Sequence, residues 1–283
     1  MRILLGIVIV VFCVITGYVA HGGQVAILWQ PYEVLIIAGA AFGAFLISNP
    51  GKVVKQVFKE IPSVFKGVVY SKAVYMDLLA MLYELFYKAQ REGLLAIEGD
   101  VDEPDKSELF NKYPRVMKEH HAMEFLTDYL RLMIGGSMNP HELENLMDLE
   151  LETLHQEEEM PAHAVGTVAD ALPGFGIIAA LLGITIAMGE IDGPVTLIGE
   201  LVAAALVGTF LGILFGYSFV GPLGKAMEHK ARERGKFLEI IKVTIMAILN
   251  GYKPVLAVEF GRKVMYEHER PSFQELENHV KGK

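Results

Sequence analysis

The sequence predicts an all-α integral membrane protein with four transmembrane helices, a long helical cytoplasmic loop and a helical cytoplasmic C-terminal segment. The composition is the first observation: 52% of the 283 residues are hydrophobic and the mean hydropathy is +0.36, yet 21% are charged. Second, charge and hydrophobicity are segregated, because four long apolar runs contain no charged residue. Third, no segment alternates between apolar and polar residues as a half-buried strand does.

The four apolar runs are each about as long as a helix that crosses a bilayer. Roughly 18–20 helical residues span the approximately 30 Å of hydrocarbon. The first run is longer than the apolar core of a signal peptide, so we expect it to be retained. Asn49, Pro50 and Gly51 predict that the second helix ends early. The runs are Ile3–Ala20, Val34–Gly51, Ala171–Gly189 and Leu201–Gly224.

Basic residues predict the orientation of the chain in the membrane. Lys and Arg close to membrane helices stay on the cytoplasmic side. Neither of the short connections, 21–33 and 190–200, contains a basic residue. Both termini are therefore predicted to lie in the cytoplasm. The basic residues instead follow the second and fourth runs: Lys52, Lys55, Lys59, Lys66 and Lys72, then Lys225, Lys230, Arg232, Arg234 and Lys236.

The chain is thus predicted to have two membrane segments and two cytoplasmic segments. Apolar residues at helical spacing in 73–90 and 123–134 predict amphipathic helices in the first cytoplasmic segment. The sequence from Asn139 to Glu142 predicts the start of a further, acidic helix. The segments are 1–51 with transmembrane helices 1 and 2, 52–165 as an acidic helical domain, 166–222 with transmembrane helices 3 and 4, and 223–283 as the C-terminal helical segment.

The first cytoplasmic segment is strongly acidic. Residues 91–159 contain 18 acidic and 6 basic side chains. A solvated surface that keeps the domain soluble explains this charge. A docking surface for a basic protein partner is the alternative interpretation, because complementary charge gives specificity and fast association. Nucleic acid is excluded as a partner, since its phosphates would be repelled.

Motifs of enzymatic chemistry are missing from the sequence. It contains no GxxxxGK[ST] loop for nucleotide phosphates, no GxSxG and no HExxH. His155 and His163 flank three glutamates, but their spacing fits no compact metal motif. We therefore predict that the protein is not an enzyme and binds no metal or cofactor.

The apolar runs also contain no carboxylate, which bears directly on ion transport. A protein that moves ions by itself usually keeps an ionisable group inside the membrane. Asp170 precedes the third run and Glu200 precedes the fourth, so both are predicted to lie near interfaces. Either the chain carries no ion, or it lines a path whose carboxylate belongs to another subunit.

Two helices have narrow stripes of small residues. Such stripes let helices approach closely in lipid. They are interpreted either as the contact between helices 3 and 4 or as room for a partner's helix, to which Thr209 would offer a hydroxyl. The helix-packing candidates are Gly208, Gly212 and Gly216 in the fourth run, and Gly176 and Gly183, with Ala180 and Ala187, in the third.

Pro173 lies near the start of the third run. A proline inside a helix removes the N–H that would bond the carbonyl four residues earlier, here that of Ala169, and it can act as a hinge. In a membrane helix the freed carbonyl must find another neighbour. A hinge beside Asp170 would suit the coupling of a membrane event to a cytoplasmic movement.

The chain resembles the MotA family of flagellar motor stator subunits and, more distantly, the ExbB and TolQ energisers. The resemblance runs nearly from end to end. It rests on AVYMDLLAMLYEL at 73–85, LPGFGIIAALLGI at 172–184, LVGTFLGILFGYSFVGPL at 206–223, NGYKPVLAVEFGRKVMY at 250–266 and ERPSFQELE at 269–277.

This resemblance implies a homo-oligomeric ring in the bacterial inner membrane around the membrane helices of a MotB-like subunit. The MotB-like subunit supplies the protonatable aspartate, and ion flow drives rotation through the rotor protein FliG. An ExbB/TolQ-like energiser of outer-membrane processes is the alternative, and a non-conducting membrane scaffold is a third hypothesis.

The resemblance also assigns the candidate residues of the ion path. The prolines that couple ion flow to movement match Pro173 and Pro222. Thr209 matches the hydroxyl next to the partner's aspartate, and Tyr217 matches the tyrosine on the channel side. Sodium-driven relatives have a threonine at the position of Ala180, and alanine lacks the oxygen that a desolvated Na⁺ requires. Protons are therefore the expected ion.

Three candidates for the rotor contact come from the same resemblance. Glu98 and Glu150 match glutamates of the family's cytoplasmic loop. The family's arginine aligns with Gln90, and Arg91 follows one residue later, which is about 100° around a helix. Arg91 is our candidate, and whether it takes over that role is left open by the sequence.

Overall fold

The computed structural model describes residues 2–65, 70–136 and 138–281, and within these residues it consists of helices and short turns, with no strand. Lys66, one of the basic residues that predicted the topology, lies outside the described residues. In chain order the α-helices are α1 (Arg2–Ala20), α2 (Pro31–Ser48), α3 (Gly51–Val64), α4 (Lys72–Glu92), α5 (Glu98–Asp102), α6 (Glu108–Asn111), α7 (Pro114–Met117), α8 (His120–Gly135), α9 (Pro140–Gly189), α10 (Val195–Leu214), α11 (Gly221–Leu249), α12 (Pro254–Lys263) and α13 (Phe273–Lys281). Short 3-10 helices occupy Val25–Leu28, Leu94–Ile97 and Pro104–Lys106, and a π-helix occupies Phe215–Val220.

The prediction of an all-helical chain with four membrane-length helices is confirmed for the described residues. By length and composition, four helical stretches could cross a membrane: Arg2–Ala20, Val25–Ser48, Pro140–Gly189 and Val195–Leu249. The second helix ends at Ser48, because Asn49 is extended and Pro50 caps the next helix.

Two helix boundaries differ from those that the sequence predicts. The acidic helix and the third apolar run form one helix, α9, which contains both Pro161 and Pro173. At its start, the N–H of Glu142 donates to the side chain of Asn139 (2.9 Å), and the N–H of Asn139 donates to the side chain of Glu142 (3.1 Å). The fourth membrane helix begins earlier, directly after Pro194, so α10 includes Glu200. Pro194 is the N-cap residue and has an extended backbone, so the helix starts with Val195.

The contacts divide the chain into two compact units, and the first contains the apolar helices. It consists of Met1–Gly67 and Glu157–Lys230. Its central cluster joins α2, α9 and α10 through the side chains of Ile37, Ala41, Leu172, Ala179, Val207 and Leu211. By contrast, α1 buries none of its described residues, which suits a helix that faces lipid.

The second unit is built around α4. It consists of Val68–Gln156 and Ala231–Lys283. Apolar side chains of α4, α8 and α11 form one buried cluster. It includes Leu78, Leu82 and Phe86 of α4, Phe125 and Leu130 of α8, and Phe237 and Ile241 of α11. Buried tyrosines are anchored by glutamates at the edge of this core: the Tyr113 hydroxyl donates to Glu84 at 2.7 Å and the Tyr70 hydroxyl to Glu119 at 2.6 Å.

We expect Gly261→Ala to destabilise the second unit by about 1–3 kcal/mol, the usual cost of overpacking a core. A methyl group on Gly261 would lie 2.5 Å from Oγ1 of Thr244 and 3.1 Å from a methyl of Leu79. The Thr244 hydroxyl is buried and bonded to the carbonyl of Ile240, so it has little room to move. Thermal unfolding followed by circular dichroism measures the change. Gly99→Ala is the control, because no heavy atom lies within 4 Å of its added methyl; equal melting temperatures for the two variants would contradict the expectation.

Candidate functional site

The small-residue stripes of α9 and α10 lie against each other within the chain. A methyl group on Gly212 would lie 2.7 Å from the carbonyl oxygen of Leu172 and 2.8 Å from Cα of Gly176. A methyl on Gly176 would lie 3.0 Å from the carbonyl oxygen of Gly208. Further along α9, a methyl on Gly183 would lie 2.8 Å from Cβ of Ala205. These glycines therefore allow backbone-to-backbone contact between the two helices.

Pro173 lies inside α9, and the carbonyl of Ala169 that it frees faces Gly216 in the π-helix that follows α10. A methyl group on Gly216 would lie 2.7 Å from the carbonyl oxygen of Ala169 and 3.1 Å from Cδ of Pro173. Ala169 is the residue whose helical hydrogen bond the proline removes. The freed carbonyl is thus covered by a glycine backbone, where any side chain would collide with it.

Pro222 follows the π-helix at Phe215–Val220. The N–H of Gly221 bonds to the carbonyl of Gly216, five residues earlier, as the π-helix requires. Because proline clashes with the carbonyl four residues before it, the wider π-turn makes room for Pro222 in an otherwise continuous helical stretch. Tyr217 lies within the π-helix, and 63% of its surface is exposed.

Several of these residues line one open cleft in the first unit, with a volume of about 350 Å³. Tyr217 and Pro222 lie on one wall and Asp170 and His163 on the other. Lys225 and Glu228, which form an ion pair at 2.7 Å, lie at the same cleft. The structure therefore brings Tyr217 and Pro222 together with Asp170, whereas Pro173, Ala180 and Thr209 do not line this cleft.

Ala180 and Thr209 lie elsewhere on the contact between α9 and α10. Ala180 is buried, and its backbone nitrogen would lie 3.6 Å from a methyl on Gly208. Thr209 is half-buried, and its Cα would lie 3.3 Å from a methyl on Gly176. The two candidates are therefore associated with the same pair of helices, close to Gly208.

Glu33 is a residue that the sequence analysis missed. The sequence predicts that Glu33 belongs to the connection 21–33, but α2 begins at Pro31, so Glu33 lies in the first turn of that helix. Its Cγ would lie 3.3 Å from a methyl on Gly208 of α10. The signal in the sequence was Pro31, since proline is favoured at the first position of a helix.

Arg91, a rotor-contact candidate, lies in the last turn of α4. Its guanidinium carbon lies 5.7 Å from the ring centre of Tyr87, and Tyr87 stacks on Tyr83 with ring centres 5.7 Å apart. All three line an open cleft of about 670 Å³ in the second unit. Gln90, the position aligned with the family's arginine, is exposed but does not line this cleft.

The two glutamate candidates have different environments. Glu98 is exposed at the start of α5 and directly precedes Gly99, which lines the same cleft as Arg91. Glu150 accepts a hydrogen bond of 2.6 Å from the hydroxyl of Tyr129. Burial, and then this hydrogen bond, raise the pKa of the Tyr129 hydroxyl above its ordinary value. Glu150 is thus tied to the core of its own unit.

The described residues contain no group of three or more His, Cys, Asp or Glu side chains placed to hold a metal ion. The described residues do present close contacts between helices, the freed carbonyl of Ala169, and the two clefts at Tyr217 and at Arg91.

Comparison with known proteins gives full-length similarities. The model "Motility protein A N-terminal" matches residues 4–93, and the model "MotA/TolQ/ExbB proton channel family" matches residues 117–239. The chain is 47% identical to Motility protein A of Escherichia coli over 282 residues, which cover 100% of the chain and 96% of that relative. It is 39% identical to Chemotaxis protein LafT of Vibrio parahaemolyticus over 277 residues, 98% of the chain and 97% of that relative.

Solved structures support the fold. The chain matches a chain of the C. jejuni MotAB structure with a TM-score of 0.79 at 23% identity, covering 96% of this chain and 98% of that one. It matches a chain of the Bacillus subtilis flagellar MotAB stator complex with a TM-score of 0.75 at 23% identity, covering 95% and 98%.

Proposed function

The chain belongs to the Motility protein A branch of the MotA/TolQ/ExbB proton channel family, and we propose that it is a stator subunit of a bacterial flagellar motor. The observation that supports this most strongly is the 47% identity to Motility protein A over essentially the whole chain. The match of residues 4–93 to the Motility protein A N-terminal model favours a motor subunit over an ExbB/TolQ-like energiser.

A second subunit is proposed to supply the proton-binding aspartate. The chain would form a homo-oligomeric ring around the membrane helices of this MotB-like subunit. The support is that 171–189 and 201–224 contain no carboxylate, although proton-carrying membrane proteins need an ionisable group in the membrane. Thr209 then lies beside the aspartate and Tyr217 at the cytoplasmic end of the path. Ala180, which offers no side-chain oxygen, favours protons over sodium.

Proton transfer is proposed to move the cytoplasmic part of the chain through the contact between α9 and α10. Neutralisation of the partner's aspartate changes the charge next to α10. At Pro173, α9 lacks one backbone hydrogen bond. Opposite this point, Gly216 lies in the π-helix between α10 and Pro222, so the main chain has a point of weaker hydrogen bonding on each side of the contact. Movement there would reach the rotor protein FliG through Arg91 and Glu98, with Glu150 holding the acidic domain in shape.

The protein is an integral membrane protein, and we place it in the bacterial inner membrane with both termini in the cytoplasm. The support is the distribution of basic residues, which follow the second and fourth membrane helices and are missing from 21–33 and 190–200. In this orientation 52–165 and 223–283 are cytoplasmic.

The proposed function is tested by complementation and by transport. The chain and the MotB-like subunit are expressed in cells that lack both stator subunits, and swimming is scored. The same pair is reconstituted in vesicles, and proton uptake is followed with a pH-sensitive dye. We expect swimming and proton uptake, both lost when the partner's aspartate is changed to asparagine. The proposal would be contradicted if the complemented cells had an intact envelope but did not swim. It would also be contradicted if proton uptake did not depend on the partner's aspartate.

Charge reversal tests the rotor contact. We expect Arg91→Glu to reduce swimming speed by at least half, because Arg91 is held over Tyr87 at the cleft, whereas Gln90→Glu should have a smaller effect. Swimming is measured by tracking, and proton uptake in vesicles is expected to be unchanged in both variants. A larger loss with Gln90→Glu would assign the contact to the family-aligned position instead.

A further inference from the structure

One carboxyl oxygen of Glu33, Oε2, is buried and lacks a hydrogen-bond partner among the described residues. The Cγ of Glu33 would lie 3.3 Å from a methyl group on Gly208, so this half-buried side chain contacts α10. A buried polar atom without a hydrogen bond is uncommon in folded proteins and calls for an explanation.

This contact lies deep along α10. Gly208 is thirteen residues beyond Val195, the first residue of the helix. At 1.5 Å per residue this is about 20 Å along α10, whereas Glu33 itself lies in the first turn of α2. Ala179 and Ala180 of α9 meet Gly208 from the other side. Three membrane helices therefore converge where Glu33 lies, next to the candidate ion-path residues Ala180 and Thr209.

The neighbouring helices bring no basic side chain to Glu33. The nearest charged residue of α10 is Glu200, eight residues or about 12 Å along the helix from Gly208. In α9 the nearest charged residue before Ala180 is Asp170, ten residues or about 15 Å away. The 3-10 helix Val25–Leu28, which also contacts α10, contains no charged residue. Glu33 therefore has no ion-pair partner on these three elements, and the buried oxygen is left without a hydrogen bond.

We propose that Glu33 is a second proton-binding carboxyl of the ion path, which accepts a proton from the outer side and passes it to the partner subunit's aspartate near Thr209. The inference rests on the proposed function. In the first step hydronium gives a proton to the Glu33 carboxylate, and an O–H bond forms while water is released. In the second step that O–H bond breaks, and the proton moves through water to the partner's carboxylate.

An isosteric substitution separates proton transfer from packing. Glutamine has the shape of a protonated glutamate and fills the same space, but its amide neither gains nor loses charge near neutral pH. Aspartate retains the titratable group with a chain one methylene shorter. A packing role therefore tolerates Glu33→Gln better than Glu33→Asp, and a proton-binding role shows the reverse order.

The experiment measures proton uptake by vesicles that contain the chain with its MotB-like partner, under an imposed membrane potential. We expect Glu33→Gln to lower the uptake rate at least tenfold and Glu33→Asp to retain at least a third of it. Glu200→Gln, which alters an exposed carboxylate of the same helix α10, should match the wild type. Uptake by Glu33→Gln within twofold of the wild type would overturn the inference.

Two further readouts keep the test decisive. Co-elution of both subunits shows whether each variant assembles. If Glu33→Gln does not assemble, Glu33→Asp decides: a shift in the external pH at half-maximal uptake supports proton binding at this position, and an unchanged value overturns it. Wild-type vesicles without partner-dependent uptake would instead refute the proposed function, so the two failures are distinguishable.

Discussion

Replacing Gly212 by valine is expected to separate α9 from α10 and to abolish partner-dependent proton uptake. Atoms added at this position would meet main-chain atoms, namely the carbonyl oxygen of Leu172 at 2.7 Å and Cα and N of Gly176 at 2.8 and 3.0 Å. A side chain could rotate away, but a helix backbone moves only as a unit. In lipid, close packing is the main force that holds helices together, so the expected loss is at or above the upper end of the approximately 1–3 kcal/mol that overpacking costs.

The measurement is the thermal stability of the purified complex together with its proton uptake. Gly199→Val is the matched control in the same helix, since no heavy atom lies within 4 Å of its added methyl and the residue is exposed. Gly212→Ala should give an intermediate loss. A Gly212→Val complex that melts together with Gly199→Val would show that the close approach of the two helices is dispensable.

Replacing Pro173 by alanine is expected to leave the complex assembled and to abolish swimming. Alanine restores an N–H four residues after Ala169, and that N–H can bond the carbonyl that now faces Gly216. The new bond would stabilise a regular helix by about 0.5–1.5 kcal/mol and remove the compliant point. Motility in soft agar and subunit co-purification measure the two outcomes.

Pro161→Ala provides the matched control for this prediction. Pro161 is the other proline inside α9. Unlike Pro173, it is not among the nearest neighbours of any glycine that packs against α9. We expect the control to swim. Normal swimming by Pro173→Ala would refute the coupling role of Pro173, whereas loss of assembly would assign the residue a purely structural role.

Much of the architecture was predictable because it depends on local properties of the chain. Length and hydropathy predicted the four membrane helices, and Asn49 and Pro50 predicted the end of the second at Ser48. Prolines caused the errors at other boundaries. Pro161 and Pro173 lie inside one long α9, because packed helices tolerate proline at interior positions. Pro194 is the extended residue that precedes α10, so this helix starts ahead of Glu200.

The candidate site was predictable in part. Residues 87 and 91 are four apart, so helical spacing alone places Arg91 over Tyr87, and this contact is observed. Glu33 was missed because its environment comes from Gly208, which is 175 positions further along the chain. No local pattern describes such a neighbour.

The sequence by itself determined that the protein is helical, that four helices are long and apolar enough to cross a membrane, and that it resembles the MotA family. Only the tertiary structure decided which small residues meet, that the carbonyl of Ala169 faces Gly216, and that Glu33 lies against α10. The physical reason is the range of the interactions. Hydropathy and helix length are sums over neighbouring residues, whereas contacts between backbones depend on how distant helices pack.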